Sequence, residues 1–292
     1  MTILITGGTG TIGSQVLASL NGQDADIRAL TRTPEKAKLP PGVRPVGGDL
    51  SDIDAVRAAL AGVSTLFLLV PNVADELTQA ILTLNAAREA GVKGIVYLSV
   101  FKGETYADVP HFVGKHTVER MIAACDLPAT VLRPAYFIQN DMQQKDALLT
   151  HGTYGVPVGA RGISMVDTRD IGEAAAKELL RRDRSATPLP RETYDLVGPD
   201  CLDGEAIAAI WSEALGKTVQ YGGDDLDSLE QRVRAFAPAW LAYDLKLMFR
   251  RYQQDGAPAD GTQVARLTTL LGRPPRPYRD FAADSAQQWR AA

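Results

Sequence analysis

Met1-Thr2-Ile3-Leu4-Ile5-Thr6-Gly7-Gly8-Thr9-Gly10-Thr11-Ile12-Gly13 opens the chain and decides its fold. The apolar, β-branched run Ile3 to Thr6 reads as a strand. It leads into glycines spaced Gly7-x-x-Gly10-x-x-Gly13. A helical pattern follows, with Ile12, Val16, Leu17 and Leu20 on one face. Gly7 permits the tight turn off the strand. Gly10, lacking a Cβ, leaves room for a pyrophosphate against the backbone, and Gly13 lets the helix pack close. The helix N-terminus presents free N–H groups and the positive end of its dipole. Together these predict a dinucleotide site with Gly7, Thr9, Gly10, Thr11 and Ile12 at the phosphates.

The pattern extends outward from that turn. Strands are expected at 26–32, 43–46, 65–70, 94–99 and 129–133, alternating with helices at 52–61, 76–90 and 111–124. Such alternation predicts an α/β protein: a Rossmann, doubly wound parallel sheet covered on both faces. Regularity weakens after Pro134. A glycine-rich stretch occupies 150–162, a short strand is expected at 163–166, and the helix 171–181 is expected to return to the sheet. The expected division is a dinucleotide-binding domain at 1–150, to which 163–182 returns, and a smaller C-terminal α+β substrate domain at 151–292. The run from Leu226 to Tyr252 has helical spacing. Its aromatics Phe236, Trp240, Tyr243 and Tyr252 either roof an apolar pocket or belong to the core.

Composition narrows the function classes. A net charge of -4 and 45% hydrophobic residues suit a globular protein with a sizeable core. That charge argues against nucleic acid as a partner, since binding phosphate backbones needs a basic face. Two cysteines, Cys125 and Cys201, make no disulfide framework. Three scattered histidines predict no metal site. No apolar run is long enough to span a membrane, and the first strand begins almost at Met1, so a cytoplasmic setting is expected. The expected partner is a small-molecule substrate; a homodimer is compatible with the chain.

The second strand ends in Thr31-Arg32, where NAD sites usually carry an acidic residue about 20 residues beyond the glycines. An arginine there suits a 2′-phosphate, so NADP(H) is expected ahead of NAD(H). Asp49 and Leu50 follow the third strand. Asp49 either accepts from the adenine amino group or serves as a turn or capping residue. Leu69, Val70 and Pro71 are expected to flank the cofactor from the neighbouring strand.

These residues resemble the short-chain dehydrogenase/reductase superfamily, and within it the atypical NmrA-like branch. The resemblance rests on Thr6 to Gly13, Arg28-Ala29-Leu30-Thr31-Arg32, Gly48-Asp49-Leu50, Leu132-Arg133-Pro134, Asp167-Thr168-Arg169-Asp170-Ile171 and Leu271-Gly272-Arg273-Pro274-Pro275. It implies a Rossmann domain, a smaller substrate domain and a cleft holding NADP(H) or NAD(H). Most enzymes of the superfamily use Tyr-x-x-x-Lys with a serine at the end of the fifth strand. This chain keeps Ser99 and Lys115, but the position four before Lys115 is His111. The resemblance to phenylpropanoid-type reductases implies acid–base work by Lys115 without the tyrosine. His111 is then either a substitute proton donor or a partly exposed helix-terminal residue. Pro134 and Tyr136 leave the sixth strand at the edge that faces the ligand crevice. Pro134 is expected near the nicotinamide; Tyr136 is an alternative proton donor, or a packing residue.

Two functions from different classes follow. One is an NADP(H)-dependent oxidoreductase moving hydride between nicotinamide and a small, largely apolar carbonyl, enone, quinone or imine. The other is a non-catalytic NAD(P)-binding redox sensor of NmrA type, which the missing tyrosine keeps open. A nucleotide-sugar epimerase is weakened by that same absence.

Overall fold

A computed structural model describes residues 1–291. In chain order it contains β1 (Thr2–Ile5), α1 (Thr11–Leu20), β2 (Asp26–Thr31), β3 (Val43–Gly47), α2 (Ile53–Leu60), β4 (Thr65–Leu68), α3 (Glu76–Glu89), β5 (Gly94–Leu98), α4 (Pro110–Ala124) and β6 (Ala129–Pro134). These are followed by β7 (Thr153–Tyr154), α5 (Thr168–Asp183), β8 (Glu192–Leu196), α6 (Gly204–Leu215), β9 (Gln220–Tyr221), α7 (Leu226–Arg234), α8 (Ala239–Asp255), α9 (Gly261–Leu271) and α10 (Tyr278–Ala291). The elements fall into two compact units, the first made of Met1–Glu104, His111–Pro134 and Thr168–Asp195. The chain leaves this unit at Pro134, where β6 ends, earlier than residue 150.

The first unit is built on a seven-stranded sheet of order β3-β2-β1-β4-β5-β6-β8. The pairings from β3 through to β6 are parallel. β1, β4 and β5 are buried at every residue, as strands covered on both faces must be. Leu66, Leu68, Ile95 and Tyr97 pack on one face against Val56, Leu60, Leu84, Val118 and Ile122 of the covering helices. α2 is capped by Asp52, whose carboxylate accepts from the backbone N–H of Asp54 and Ala55. The sheet order reverses between β1 and β4, and ligands of open α/β sheets bind outside the strand ends at such a switch.

The second unit takes Thr105–Pro110, Ala135–Asp167 and the described chain from Leu196 on. It is mostly helical, with one parallel two-stranded pair, β7 with β9. Trp211 is its anchor: fully buried, stacked on Trp289 at 5.2 Å and edge-on to Tyr278 and Phe281. The strand expected at 163–166 exists only as isolated bridges, Ile163 to Leu202 and Ala257, and Phe137 to Val166. The helical run from Leu226 to Tyr252 is two helices, because Pro238 cannot donate an interior backbone bond and instead caps α8. Phe236 falls in that break and is 74% exposed. No helix among the described residues is long and apolar enough to cross a membrane.

Candidate nucleotide and proton-transfer site

The turn after β1 carries the geometry its glycines imply. Gly7 has φ +66°, a left-handed conformation that favours glycine. A Cβ on Gly13 would lie 2.1 Å from the Gly7 carbonyl oxygen, so no side chain fits where α1 crosses the turn. Gly10 is the N-cap of α1 and makes no side-chain cap bond; the first turn of the helix holds no acidic residue. Thr9, Gly10 and Thr11 are exposed, and Ile12 is buried beneath them. The helix therefore opens onto solvent with its first N–H groups uncommitted to a side chain, which is the arrangement that binds phosphate.

Thr6 pins the switch point. Its hydroxyl accepts from the Leu69 N–H at 2.8 Å and donates to the Leu69 carbonyl at 2.7 Å. This pairing replaces sheet bonding and ends β4 at Leu68, short of the expected Val70. It also fixes Leu69 beside Gly7, at the head of the Leu69-Val70-Pro71 segment. At the far end, Arg32 follows β2 and is exposed. Asp49 accepts from the N–H and hydroxyl of Ser51, and these bonds, with the Arg32 charge, hold its carboxyl below the usual range. The turn role of Asp49 is thus occupied, on the side of the sheet where Arg32 stands. Leu50 beside it is buried. Arg28 donates to the Ala61 carbonyl at 3.0 Å, on a strand interior to the sheet.

One face of α4 carries His111, Lys115 and Glu119, four residues apart in turn. Lys115 pairs with Glu76, the first residue of α3, and both side chains are nearly buried. Ser99, just beyond β5, donates its hydroxyl to Glu119. Arg133, in β6, binds the same carboxylate through its Nε–H and Nη2–H. Tyr97 lies beneath; burial first, then the charges of Glu76 and Glu119, push its phenol far up. The His111 ring sits edge-on to Phe112 at 4.6 Å. The corner thus holds two cations, each matched to a carboxylate, and a serine already engaged. It can present a charged ammonium group for binding or for proton transfer.

Pro134 closes β6 in the first unit. Tyr136 belongs to the second, edge-on to Phe249 at 5.7 Å and Tyr252 at 6.3 Å. Burial drives its phenol well up, against a hydrogen bond with Asn140, which makes it a weak acid. The aromatics expected to act together do not. Tyr252 is core, while Trp240 and Tyr243 are exposed like Phe236. The second unit also buries Asp141, whose Oδ2 accepts from Tyr154 at 3.0 Å and Tyr278 at 2.5 Å. Its Oδ1 has no hydrogen-bond partner, and burial pushes the carboxyl up to about 7.

Sequence reading passed over Thr6, Glu76, Glu119 and Arg133. Only Glu119 had a local signal, its place four residues beyond Lys115. Glu76 lies 39 residues from its partner, so only the fold brings the two together.

The sequence pattern of the NmrA-like family matches residues 1–270. The chain is 30% identical over 295 residues to the NAD(P)H azoreductase of Xenophilus azovorans, across 99% of this chain and 100% of that one. It is 29% identical over 225 residues to Quinone oxidoreductase 2 of Escherichia coli, across 75% of this chain and 76% of that protein. The solved structure of the E. coli NADPH-dependent quinone oxidoreductase complexed with NADPH matches with a TM-score of 0.83 at 26% identity, over 99% of each chain. With the sheet order and the glycine turn already described, these matches show that the chain belongs to the NmrA-like family of NAD(P)-binding Rossmann-type proteins.

Proposed function

We propose that the protein is an NADP(H)-dependent oxidoreductase that transfers hydride to a small, largely apolar acceptor: a quinone, enone, carbonyl, imine or azo compound. The observation that carries this is the uncapped, glycine-lined start of α1 at the switch point. The azoreductase and quinone oxidoreductase activities of the relatives support the acceptor class. The residues fit the cofactor. Gly7, Thr9, Gly10, Thr11 and Ile12 hold the pyrophosphate, Arg32 the 2′-phosphate, Asp49 and Leu50 the adenosine end, and Leu69, Val70, Pro71 and Pro134 the nicotinamide end. When bound, the nicotinamide supplies the hydride.

The protein's own task is then to deliver a proton. Lys115 is the group for it: cationic, nearly buried and oriented by Glu76. His111, one turn earlier, is the second candidate. Tyr136 is the third, disfavoured because burial makes its phenol a weak acid. Ser99 holds α4 through Glu119, which frees it from the role it has beside a catalytic tyrosine.

The test is NADPH oxidation against quinones, azo dyes, enones, aldehydes and cyclic imines, with nucleotide binding followed by fluorescence in the same samples. Turnover on any class supports the enzyme. Tight NADPH binding without turnover on any class overturns it in favour of a nucleotide-binding sensor. Absence of binding overturns both readings.

A further inference from the structure

Glu76 opens α3, five residues after Pro71, and its carboxylate is paired with the Lys115 ammonium of α4. The two side chains are only 10% and 14% exposed. An exposed pair contributes little, but a charge this shielded from water is costly without its partner. The pair also joins two segments with different duties. α3 follows Leu69-Val70-Pro71 after the four-residue connection 72–75, and α4 carries His111 and Lys115.

The other titratable groups of this corner are committed elsewhere. Glu119, on α4 itself, is taken by Arg133 of β6 and by Ser99. Tyr97 of β5 is kept neutral by burial. His111 packs on Phe112 one turn before Lys115. The carboxylate in direct contact with Lys115 is that of Glu76, placed in the first turn of a 14-residue helix where the dipole favours a negative charge.

We propose that Glu76 is a positioning residue for Lys115: its carboxylate fixes the place and direction of the ammonium group on α4, so that Lys115 meets nucleotide and acceptor in one geometry. This rests on the role given to Lys115 above. Glu76 itself touches neither nucleotide nor acceptor. Its influence passes through the lysine, and it also couples the placement of the β4 loop to the charge on α4.

The experiment compares kcat, KM and thermal stability of Glu76→Gln, Glu76→Asp, Lys115→Met and the charge swap Glu76→Lys/Lys115→Glu. Glu76→Gln is expected to lower kcat about 10- to 100-fold, with KM for the acceptor little changed. Glu76→Asp should recover part of the rate. The swap should regain thermal stability through the reversed pair but stay inactive, and it keeps the test open if Glu76→Gln folds poorly. Normal kcat in Glu76→Gln, beside an inactive Lys115→Met, would overturn the proposal and leave the Lys115 role standing. An active swap would overturn it too. Normal turnover and NADPH affinity in Lys115→Met would overturn both.

Discussion

Arg133 binds Glu119 through a guanidinium fork, and the same carboxylate takes the Ser99 hydroxyl. β5, β6 and α4 are thereby tied at one point, just below the turn of helix that carries Lys115. Glu119→Gln leaves the half-buried Arg133 charge without its hydrogen-bonded carboxylate, with only the charges of Asp195 and Glu104 acting on it from further off. A loss of about 2–3 kcal/mol in stability is expected from denaturant unfolding, less than for a fully buried pair because Arg133 keeps some solvent. A loss below about 0.5 kcal/mol would show that the fork contributes no more than a surface pair.

Ser99→Ala follows from the same bond. A hydrogen bond to a charged group contributes about 1.5–3 kcal/mol, and that is the expected stability cost. Since the hydroxyl is already donated to Glu119, kcat should fall less than tenfold, against the roughly 10²- to 10⁴-fold expected for loss of an acid–base group. Steady-state kinetics with any working acceptor decides it. A hundredfold drop at normal stability would return Ser99 to the chemistry.

The second and third glycines of the motif separate binding from folding. A methyl at Gly13 meets the Gly7 carbonyl at 2.1 Å, backbone that cannot yield, so Gly13→Ala should fold poorly. A methyl at Gly10 meets only that same carbonyl, at 3.4 Å, and Gly10 has an extended backbone open to alanine. Gly10→Ala should therefore unfold at the same denaturant concentration as the parent yet bind NADPH about tenfold or more weakly, by crowding the pyrophosphate. Unchanged NADPH affinity would move the phosphates away from this turn.

How far the sequence speaks depends on the range of the interaction. The glycine turn and the strand periods are local, and each was legible. The end of β4 was not, because a threonine 63 residues away takes the Leu69 N–H. The corner around Lys115 was half legible: the spacing of four related His111 to Lys115, but Glu119 one turn on went unremarked, and the partners Glu76, Ser99 and Arg133 come from three other elements. In the C-terminal half the period of Leu226 to Tyr252 was read correctly and its continuity was not, since Pro238 outweighs the aromatic spacing. The exposure of Phe236 follows from that break.

Arg32 tests the choice of nucleotide. It is exposed beyond β2, and its charge acts on Asp49. Charge-assisted bonds to a 2′-phosphate contribute about 1.5–3 kcal/mol, so Arg32→Asp should weaken NADPH binding by about 10- to 100-fold and leave NADH nearly unaffected. Fluorescence titration with both nucleotides measures the ratio. Equal losses would remove Arg32 from the phosphate.

Asp141 gives the second unit a pH dependence of defined sign. Burial raises its carboxyl from 3.8 to about 7, against the pull of the Tyr278 and Tyr154 hydroxyls. Between those values the folded protein holds a proton that the unfolded chain has released. Its contribution is therefore fully present below about pH 4 and is lost as pH rises through about 7. The span corresponds to a few kcal/mol at most, on the order of 2–4. Asp141→Asn removes the titration while keeping an oxygen to accept from both tyrosines. Urea midpoints followed by near-ultraviolet circular dichroism should fall between pH 5 and pH 8 in the parent and fall much less in the variant. Parallel slopes would mean that Asp141 stays ionised through this range, its charge supported by the Tyr154 and Tyr278 hydroxyls alone.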